Sequence, residues 1–405
     1  MALLKNSKAL VLADQVIFSG TGFLMTVLIA RYLSISDFGE YSATVLMIYL
    51  AVSAISAWSI QVFQVTSDRT REYISFLFWT QFILSFFIVL VLKVCFSVLS
   101  LQQHSAELFF GLGFIMYDFS RKIFLSLNKT QEVLILDVFT SFLMLSAFLI
   151  FKFQESKMVD NMLFYFTCAY LFSLLYAIQV IRPYKFNVNH FLEYISIHLK
   201  HGKWLFLTAI SQWWAGNLFV VASGIYLGSA ALGALRLGQS LFGVLNVFLQ
   251  TFENYVLPQS AIRMQQGQDQ GIAYIRKTNQ KLAFVFIPVL VIIFLFASPI
   301  LTLAGGSNFT DYGFVLKGLC LLYVFIFLSQ PIRFFFRSIQ MNNHFFYAYL
   351  ISLVFAFSTS HWLISTYGLR GVIAGLTASQ LILMLYWTLI LQLKNIKIWK
   401  SYISY

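Results

Sequence analysis

Eight polar or small residues recur in the apolar stretch between residues 232 and 257, at separations of one, three or four positions. They are Arg236, Gln239, Ser240, Gly243, Asn246, Gln250, Glu253 and Asn254. In an α-helix, which turns about 100° per residue, this spacing places them within an arc of about 140°. The arginine near one end can bind an anionic group of a solute, and the amides and the carboxylate near the other end can hydrogen-bond its hydroxyl groups.

The opposite side of this helix is apolar. Its residues are Leu241, Val244, Leu245, Phe248 and Phe252. A charge at the centre of a bilayer costs roughly 2.5–3.5 kcal/mol, so it faces a water-filled cavity or a partner. The pattern indicates either a cavity lining or a seam of hydrogen bonds between helices. Because the stripe carries opposite charges near its two ends, we favour the cavity.

Two further polar groups lie in apolar stretches. Gln15 begins a thinner stripe in the first stretch with Asp14 beside it, and the small residues of this stripe equally suit close helix packing. Asp118, Arg121 and Lys122 are spaced so that they can pair on one helical face. For them, gating and an interfacial cluster with snorkelling side chains are equal alternatives. The candidates for ion coupling or gating are Asp14, Glu253, Asp118 and Arg121.

The elements that must position these residues are membrane spans. Of 405 residues, 60% are hydrophobic, only 10% are charged and 45 are Phe, which predicts an all-α polytopic membrane protein. Twelve runs have the roughly 20 mostly apolar residues that a transmembrane helix needs, without the alternation of a β-barrel strand. The predicted spans are Val11–Ala30, Tyr41–Val65, Phe76–Leu99, Ala106–Phe124, Val133–Phe151, Met162–Ile181, Trp204–Leu227, Leu232–Leu257, Leu282–Leu303, Val315–Phe335, Phe345–Tyr367 and Gly371–Leu391.

The distribution of Lys and Arg predicts the orientation. With the N-terminus in the cytoplasm, 20 of the 27 basic residues fall on the cytoplasmic side, so both termini are predicted to be cytoplasmic. The longest predicted loop, between spans 6 and 7, lies on the same side. Topology also explains the net charge of +12, so we expect contact with membrane lipids and none with nucleic acid. The cysteines and histidines lack metal-ligand or nucleophile spacing, and we predict no enzyme activity, metal or cofactor.

Two segments six spans apart resemble each other. "RYLSISDFGEYS" and "IYLGSAALGALR" share Tyr, Leu and Gly at equivalent positions, which pairs Gly39 with Gly233. Six is an even number, so the repeats would be parallel and would form two six-helix lobes around a central cavity, residues 1–198 and 199–405. Alternatively, two interfacial turns independently use Tyr as an anchor and Gly as a helix stop. In either case we expect Gly39 to break the helix and Glu40 to face water.

These segments also resemble a known family. "ARYLSISDFGEYS" resembles the first loop of the polysaccharide transporters, the O-antigen flippase (Wzx) family of the multidrug/oligosaccharidyl-lipid/polysaccharide (MOP) exporter superfamily. The matching positions are Ala30, Arg31, Leu33, Phe38, Gly39 and Tyr41. "YLGSAALGALRLGQSL", "YVLPQSA" and "YGLRGVIAGLTASQ" resemble three later segments of that family.

The resemblance implies a fold and an activity. The fold would be MATE-like, with two six-helix lobes. The activity would be movement of an undecaprenyl-pyrophosphate-linked oligosaccharide, an O-antigen or capsule repeat unit, from the cytoplasmic to the periplasmic leaflet of a bacterial inner membrane by alternating access. A polysaccharide polymerase and other export-pathway proteins are further candidate partners.

The predicted site follows from this activity. Arg236 would contact the pyrophosphate, with Arg31 and Arg370 at the periplasmic mouth, and the polar residues would bind sugar hydroxyls. The predicted substrate-binding residues are Arg236, Gln239, Asn246, Gln250, Glu253, Arg31, Arg370 and Gln15. No ATP-binding loop occurs in the sequence, so we expect a proton, sodium or substrate gradient to drive transport.

Two other functions stay open. A MATE-type drug/cation antiporter predicts an acidic, aromatic cavity, which Asp14, Glu253 and the many Phe residues fit and Arg236 opposes. A membrane-embedded glycosyltransferase or polymerase ranks lower, because it needs a large periplasmic loop or catalytic carboxylates.

Overall fold

The computed structural model describes residues 7–66, 68–99, 104–154, 158–184, 188–341, 343–396 and 398, and every regular element within these ranges is helical. The α-helices are α1 (Ser7–Tyr32), α2 (Ile35–Trp58), α3 (Ile60–Val65), α4 (Arg71–Val98), α5 (Glu107–Ser126), α6 (Thr130–Lys152), α7 (Val159–Ile181), α8 (Val188–Leu227), α9 (Ser229–Gln266), α10 (Gln268–Leu295), α11 (Ala297–Gly305), α12 (Gly313–Ser338) and α13 (Asn343–Leu393). Five basic residues that bear on the predicted orientation lie outside the described residues: Lys5, Lys157, Lys185, Lys397 and Lys400.

The helices match the predicted spans. Within the described residues, ten helices are long and apolar enough to cross a membrane by length and composition. The number is below twelve because α5 carries several charges and α13 covers the last two spans. Helix α13 bends at Gly368, where φ is 58°. Large exposed side chains such as Phe284 and Phe357 suit contact with lipid tails. The all-α polytopic membrane fold is confirmed.

The chain divides into two compact units, Met1–Trp213 with Gly228–Gly233, and Trp214–Leu227 with Ala234–Tyr405. In the first unit, α7 packs against α5 and α6, α1 against α6, and α4 against α5. In the second unit, α12 packs against α10, α11 and α13. The predicted boundary after residue 198 falls inside α8, which contributes residues to both units, and the two predicted lobes stay a prediction.

The turn between α1 and α2 is set by Ser34. The Ser34 hydroxyl accepts a hydrogen bond from the Asp37 amide at 3.1 Å and caps α2. Gly39 therefore lies inside α2, and our prediction that it breaks the helix is wrong. In the matching segment, Gly233 likewise lies inside α9. The break is at Gly228, whose φ of 85° suits a residue without a side chain.

Helix α8 starts earlier than predicted. It begins at Val188, so much of the predicted loop between spans 6 and 7 is helical. This early part belongs to the first unit, and one of its faces is buried there at His198 and Gly202. The His198 ring lies 2.8 Å from both the Trp58 carbonyl oxygen and the Tyr73 hydroxyl. Amphipathic packing on neighbouring helices, rather than hydropathy, therefore stabilises this segment.

Candidate functional site

Helix α9 carries two different surfaces, an open polar stripe and a buried apolar face. Asn246 and Gln250 of the polar stripe are exposed, and a methyl group added to Gly243 would meet no atom within 4 Å. Phe242 is buried, with its ring centroid 4.3 Å from that of Tyr323 on α12. The stripe thus borders open space in the middle of α9, while the adjacent face anchors the helix to the second unit.

Arg236 lies at the start of the stripe. Its side chain is half-buried, and Nη1 donates to Gln239 Oε1 at 3.1 Å. Because the two residues are less than one turn apart, this contact holds the guanidinium along the helix face. The arrangement brings together two of the predicted substrate-binding residues.

Glu253 lies at the other end of the stripe, in a different setting from the one we expected. It is only 7% exposed, and Arg337 Nη1 donates to its Oε1. Arg333 Nη2 lies 3.8 Å from its other oxygen. The structure thus pairs the carboxylate with two arginines of α12 instead of leaving it open to sugar hydroxyls.

A second ionic cluster lies in the first unit, around Arg121 of α5. Its Nη2 donates to Asp14 Oδ2 at 2.5 Å, and its Nε donates to Asp137 Oδ2 at 2.7 Å. Tyr117 donates to the other Asp137 oxygen at 2.7 Å, and the Phe18 ring lies 4.0 Å from the guanidinium carbon. This guanidinium is buried, so snorkelling to a membrane surface does not describe it.

The charges of this cluster do not balance when all its groups are ionised. Asp14 and Asp137 are 1% and 0% exposed, and together they face one guanidinium. Asp14 Oδ1 is also buried without a hydrogen-bond partner. Since a buried unpaired charge is costly, the cluster is suited to take up one more positive charge, a proton or a small cation.

Gln15 and Asp118, two other predicted site residues, differ in whether they contact this cluster. Gln15 Oε1 lies 3.4 Å from Arg121 Nη2, and its Nε2 donates to Ser19 at 3.0 Å. Asp118 pairs instead with Lys122, at 2.6 Å. The predicted joint pairing of Asp118, Arg121 and Lys122 is therefore wrong for Arg121, which reaches across to α1 and α6.

Among the described residues, the ion pairs include neither Arg31 nor Arg370. Both are exposed, and Arg31 lies in the last turn of α1, where a positive charge is favourable. The Arg370 guanidinium carbon lies 5.7 Å from the Phe314 ring centroid, a weak cation–π contact at an exposed position.

The sequence analysis did not predict a third polar cluster, which lies at the N-terminal end of α5. His104 Nε2 lies 3.5 Å from Glu40 Oε2, and its Nδ1 lies 3.5 Å from Asp160 Oδ2. Glu107 is buried beside them and accepts from Thr44 at 2.6 Å. Glu40 thus faces His104, and our expectation that it faces water is wrong. Acidic residues in the first turns of α5 and α7, Glu107 and Asp160, were a signal in the sequence.

The second unit thus holds an open polar stripe that begins at Arg236 and a carboxylate paired with two arginines, whereas the first unit holds the buried acidic cluster of Asp14, Arg121 and Asp137. The stripe has the groups to hydrogen-bond a large polar solute. The acidic cluster has the charge to hold a cation. Within the described residues, no group of three or more His, Cys, Asp or Glu side chains is arranged to hold a metal ion.

Comparisons with known proteins give a family and a fold. The profile of the family "Polysaccharide biosynthesis protein" matches residues 28–313. No curated protein sequence matches the chain significantly.

Among solved structures, the chain is similar to the lipid II flippase MurJ in an inward closed conformation, with 14% identity and a TM-score of 0.68 over 94% of this chain and 86% of that one. It is also similar to an inward-facing multidrug resistance MATE transporter of the MOP superfamily, with 11% identity and a TM-score of 0.72 over 96% and 98% of the two chains. A third similar structure is the eukaryotic MATE transporter AtDTX14, with 12% identity and a TM-score of 0.59 over 95% and 96%. At these identities, the structural likeness shows the fold alone, an all-α fold that this chain shares with these solved structures.

Proposed function

Since the chain belongs to the family of polysaccharide biosynthesis proteins, we propose that it is a flippase for an undecaprenyl-pyrophosphate-linked oligosaccharide, an O-antigen or capsule repeat unit. It moves this substrate from the cytoplasmic to the periplasmic leaflet of a bacterial inner membrane by alternating access. The similar fold of a lipid II flippase supports this class of substrate.

The observation that carries the proposal is the open polar stripe of α9 with its arginine. A diphosphate and its sugars cannot cross hydrocarbon without polar partners, whereas a prenyl tail can stay in lipid. Arg236 binds the anionic part of the head group, and Asn246 and Gln250 bind sugar hydroxyls. Arg31 and Arg370 are further anion contacts where the substrate leaves.

The proposed orientation places both ends of this chain in the cytoplasm, following the 20 of 27 basic residues assigned to that side. Contacts within each unit agree with the alternation of helix directions. In the first unit, Tyr32 donates to the Lys152 carbonyl, which joins two predicted periplasmic ends. In the second, Ser260 lies 2.5 Å from Ser338, which joins two predicted cytoplasmic ends.

We place the coupling ion at the cluster of Asp14, Arg121 and Asp137. The extra positive charge that it accommodates is a proton or a sodium ion, and uptake at Asp14 would neutralise the cluster. Membrane lipids surround the protein, and a polysaccharide polymerase and other export-pathway proteins are its proposed partners.

The second candidate is a MATE-type drug/cation antiporter. The buried carboxylates around Arg121 favour it, because a drug/cation exchanger also needs a titratable or cation-binding group. A drug-susceptibility assay on a deletion strain separates the two, since loss of an antiporter sensitises cells to cationic drugs and loss of a flippase removes surface polysaccharide.

Complementation of that deletion strain tests the flippase. We expect wild type to restore surface polysaccharide and Arg236→Ala to lower it by about 10-fold or more, because a charge-assisted contact to phosphate is lost. Lys317→Ala removes an exposed positive charge that, like Arg236, is not among the basic residues assigned to the cytoplasmic side. This variant should restore export to the wild-type level. Normal export by Arg236→Ala at wild-type protein levels would remove the role given to the stripe.

A further inference from the structure

The last turns of α12 place two arginines on one carboxylate. Arg333 and Arg337 are four residues apart and share a helix face, and both reach Glu253 of α9. Arg337 donates directly to Glu253, while Arg333 Nη2 is 3.8 Å from it. All three residues belong to the second unit.

The cluster of Glu253, Arg333 and Arg337 carries an excess of positive charge and an unused hydrogen-bond donor. Two guanidinium groups face one carboxylate, which leaves an excess of one positive charge. Arg333 Nε is buried and has no hydrogen-bond partner, although a buried donor is normally paired. The Arg337 side chain is 45% exposed, so a ligand can reach the cluster from outside.

The cluster also continues the polar stripe. Gln250 lies about one turn before Glu253 on α9, and Asn254 is next to it; both are exposed. A head group bound along these amides would therefore arrive at Arg333 and Arg337. In the proposed orientation this is the cytoplasmic end of α12, the leaflet in which the substrate starts.

We propose that Arg333 and Arg337 form the loading site for the substrate's diphosphate, and that Glu253 occupies this site while no substrate is bound. A lipid-linked diphosphate diester carries two negative charges, which match two guanidinium groups better than one carboxylate does. Arginine binds phosphate through two parallel hydrogen bonds, and the unpaired Arg333 Nε supplies one donor for such a pair. On loading, the diphosphate displaces the Glu253 carboxylate from the arginines. The identity of the ligand rests on the proposed flippase function.

A purely structural ion pair between α9 and α12 makes the opposite prediction for Glu253. If Glu253 competes with the diphosphate, Glu253→Gln opens the site and tightens binding. If the pair only holds the two helices together, the same substitution leaves two arginines facing each other, destabilises the protein and weakens binding.

The test measures binding of undecaprenyl diphosphate to the full chain in lipid nanodiscs, with undecaprenyl monophosphate as the comparison ligand. We expect Arg333→Gln and Arg337→Gln each to weaken diphosphate binding by about 10-fold or more, with a smaller loss for the monophosphate. Glu253→Gln should tighten it severalfold. Arg337→Lys keeps the charge but loses the paired geometry, and should fall between wild type and Arg337→Gln. Arg263→Gln, which removes a cation near the end of α9 that stacks on Tyr274, is the control and should bind as wild type does.

Wild-type affinity in both arginine variants, or weaker binding by Glu253→Gln together with a lower thermal midpoint, would overturn the proposal. Failure of the flippase function is a separate result: the deletion strain would keep its surface polysaccharide. If the deletion removes the polysaccharide while the arginine variants bind diphosphate normally, only the loading site is refuted.

Discussion

Gly39 of α2 and Gly233 of α9 pack backbone against backbone. A methyl group on Gly233 would lie 2.6 Å from the Ile35 carbonyl oxygen and 3.0 Å from the Gly39 amide nitrogen. A methyl group on Gly39 would collide with the Ser229 carbonyl group. These are the two glycines that the sequence comparison paired, so residues interpreted as helix stops instead form a backbone-to-backbone contact between α2 and the start of α9.

This contact predicts a strong effect of Gly39→Ala. The added methyl meets backbone atoms, which cannot move aside as a flexible side chain can, so α2 and the start of α9 must separate. Overpacking of this kind costs about 1–3 kcal/mol, and we expect a lower thermal midpoint in detergent. Gly20→Ala on α1 adds the same methyl where no atom lies within 4 Å and should leave the midpoint nearly unchanged. Equal midpoints for the two variants would contradict this account.

The spans and the paired contacts differ in how far the sequence determines them. A span is a local property, because each needs one continuous apolar run, and every predicted run corresponds to one helix or to parts of two consecutive helices. The pairing of Arg121 with Asp137 joins residues 16 apart on different helices, and that of Glu253 with Arg337 joins residues 84 apart. Single-sequence spacing gives no signal for such partners, so Asp137 was not predicted at all.

The cluster around Arg121 predicts that substitutions of Arg121 and of its neighbour Lys122 differ strongly in their effect on stability. Arg121→Gln leaves Asp14 and Asp137 buried without a counter-ion, and removal of one partner of a buried pair costs about 3–5 kcal/mol. Lys122→Gln removes a charge from the next residue, whose pair with Asp118 is partly exposed, and should cost about 1 kcal/mol or less. Thermal unfolding of the purified proteins measures both. Similar midpoints for the two variants would show that the buried cluster adds little to stability.

The same cluster predicts how transport depends on the driving ion. Asp14→Asn removes the carboxylate with an unpaired buried oxygen and leaves Arg121 balanced by Asp137 alone. We therefore expect flipping in proteoliposomes to lose its response to an imposed proton or sodium gradient, with the protein still folded. Asp269→Asn, at an exposed acidic residue in the first turn of α10, should keep that response. A gradient response retained in Asp14→Asn would place the coupling ion elsewhere.

His104 predicts a dependence of stability on pH. Burial holds the pKa of His104 below its ordinary value of 6.5, although nearby Asp160 acts in the opposite direction. A histidine with a lower pKa in the folded state binds fewer protons there than in the unfolded state. Its contribution to the free energy of unfolding is therefore constant above about pH 7.5 and falls as the pH decreases through 6.5.

A comparison with His104→Gln isolates this contribution, since glutamine keeps hydrogen-bonding capacity without titrating in this range. As the pH is lowered from about 8 to 5, the thermal midpoint of wild type should fall by more than that of the variant. The carboxylates of Glu40, Asp160 and Glu107 remain in both proteins, so their own titration largely cancels in the difference. A difference that stays constant with pH, or that favours wild type in acid, would mean that the two carboxylates facing His104 outweigh its burial and hold it protonated.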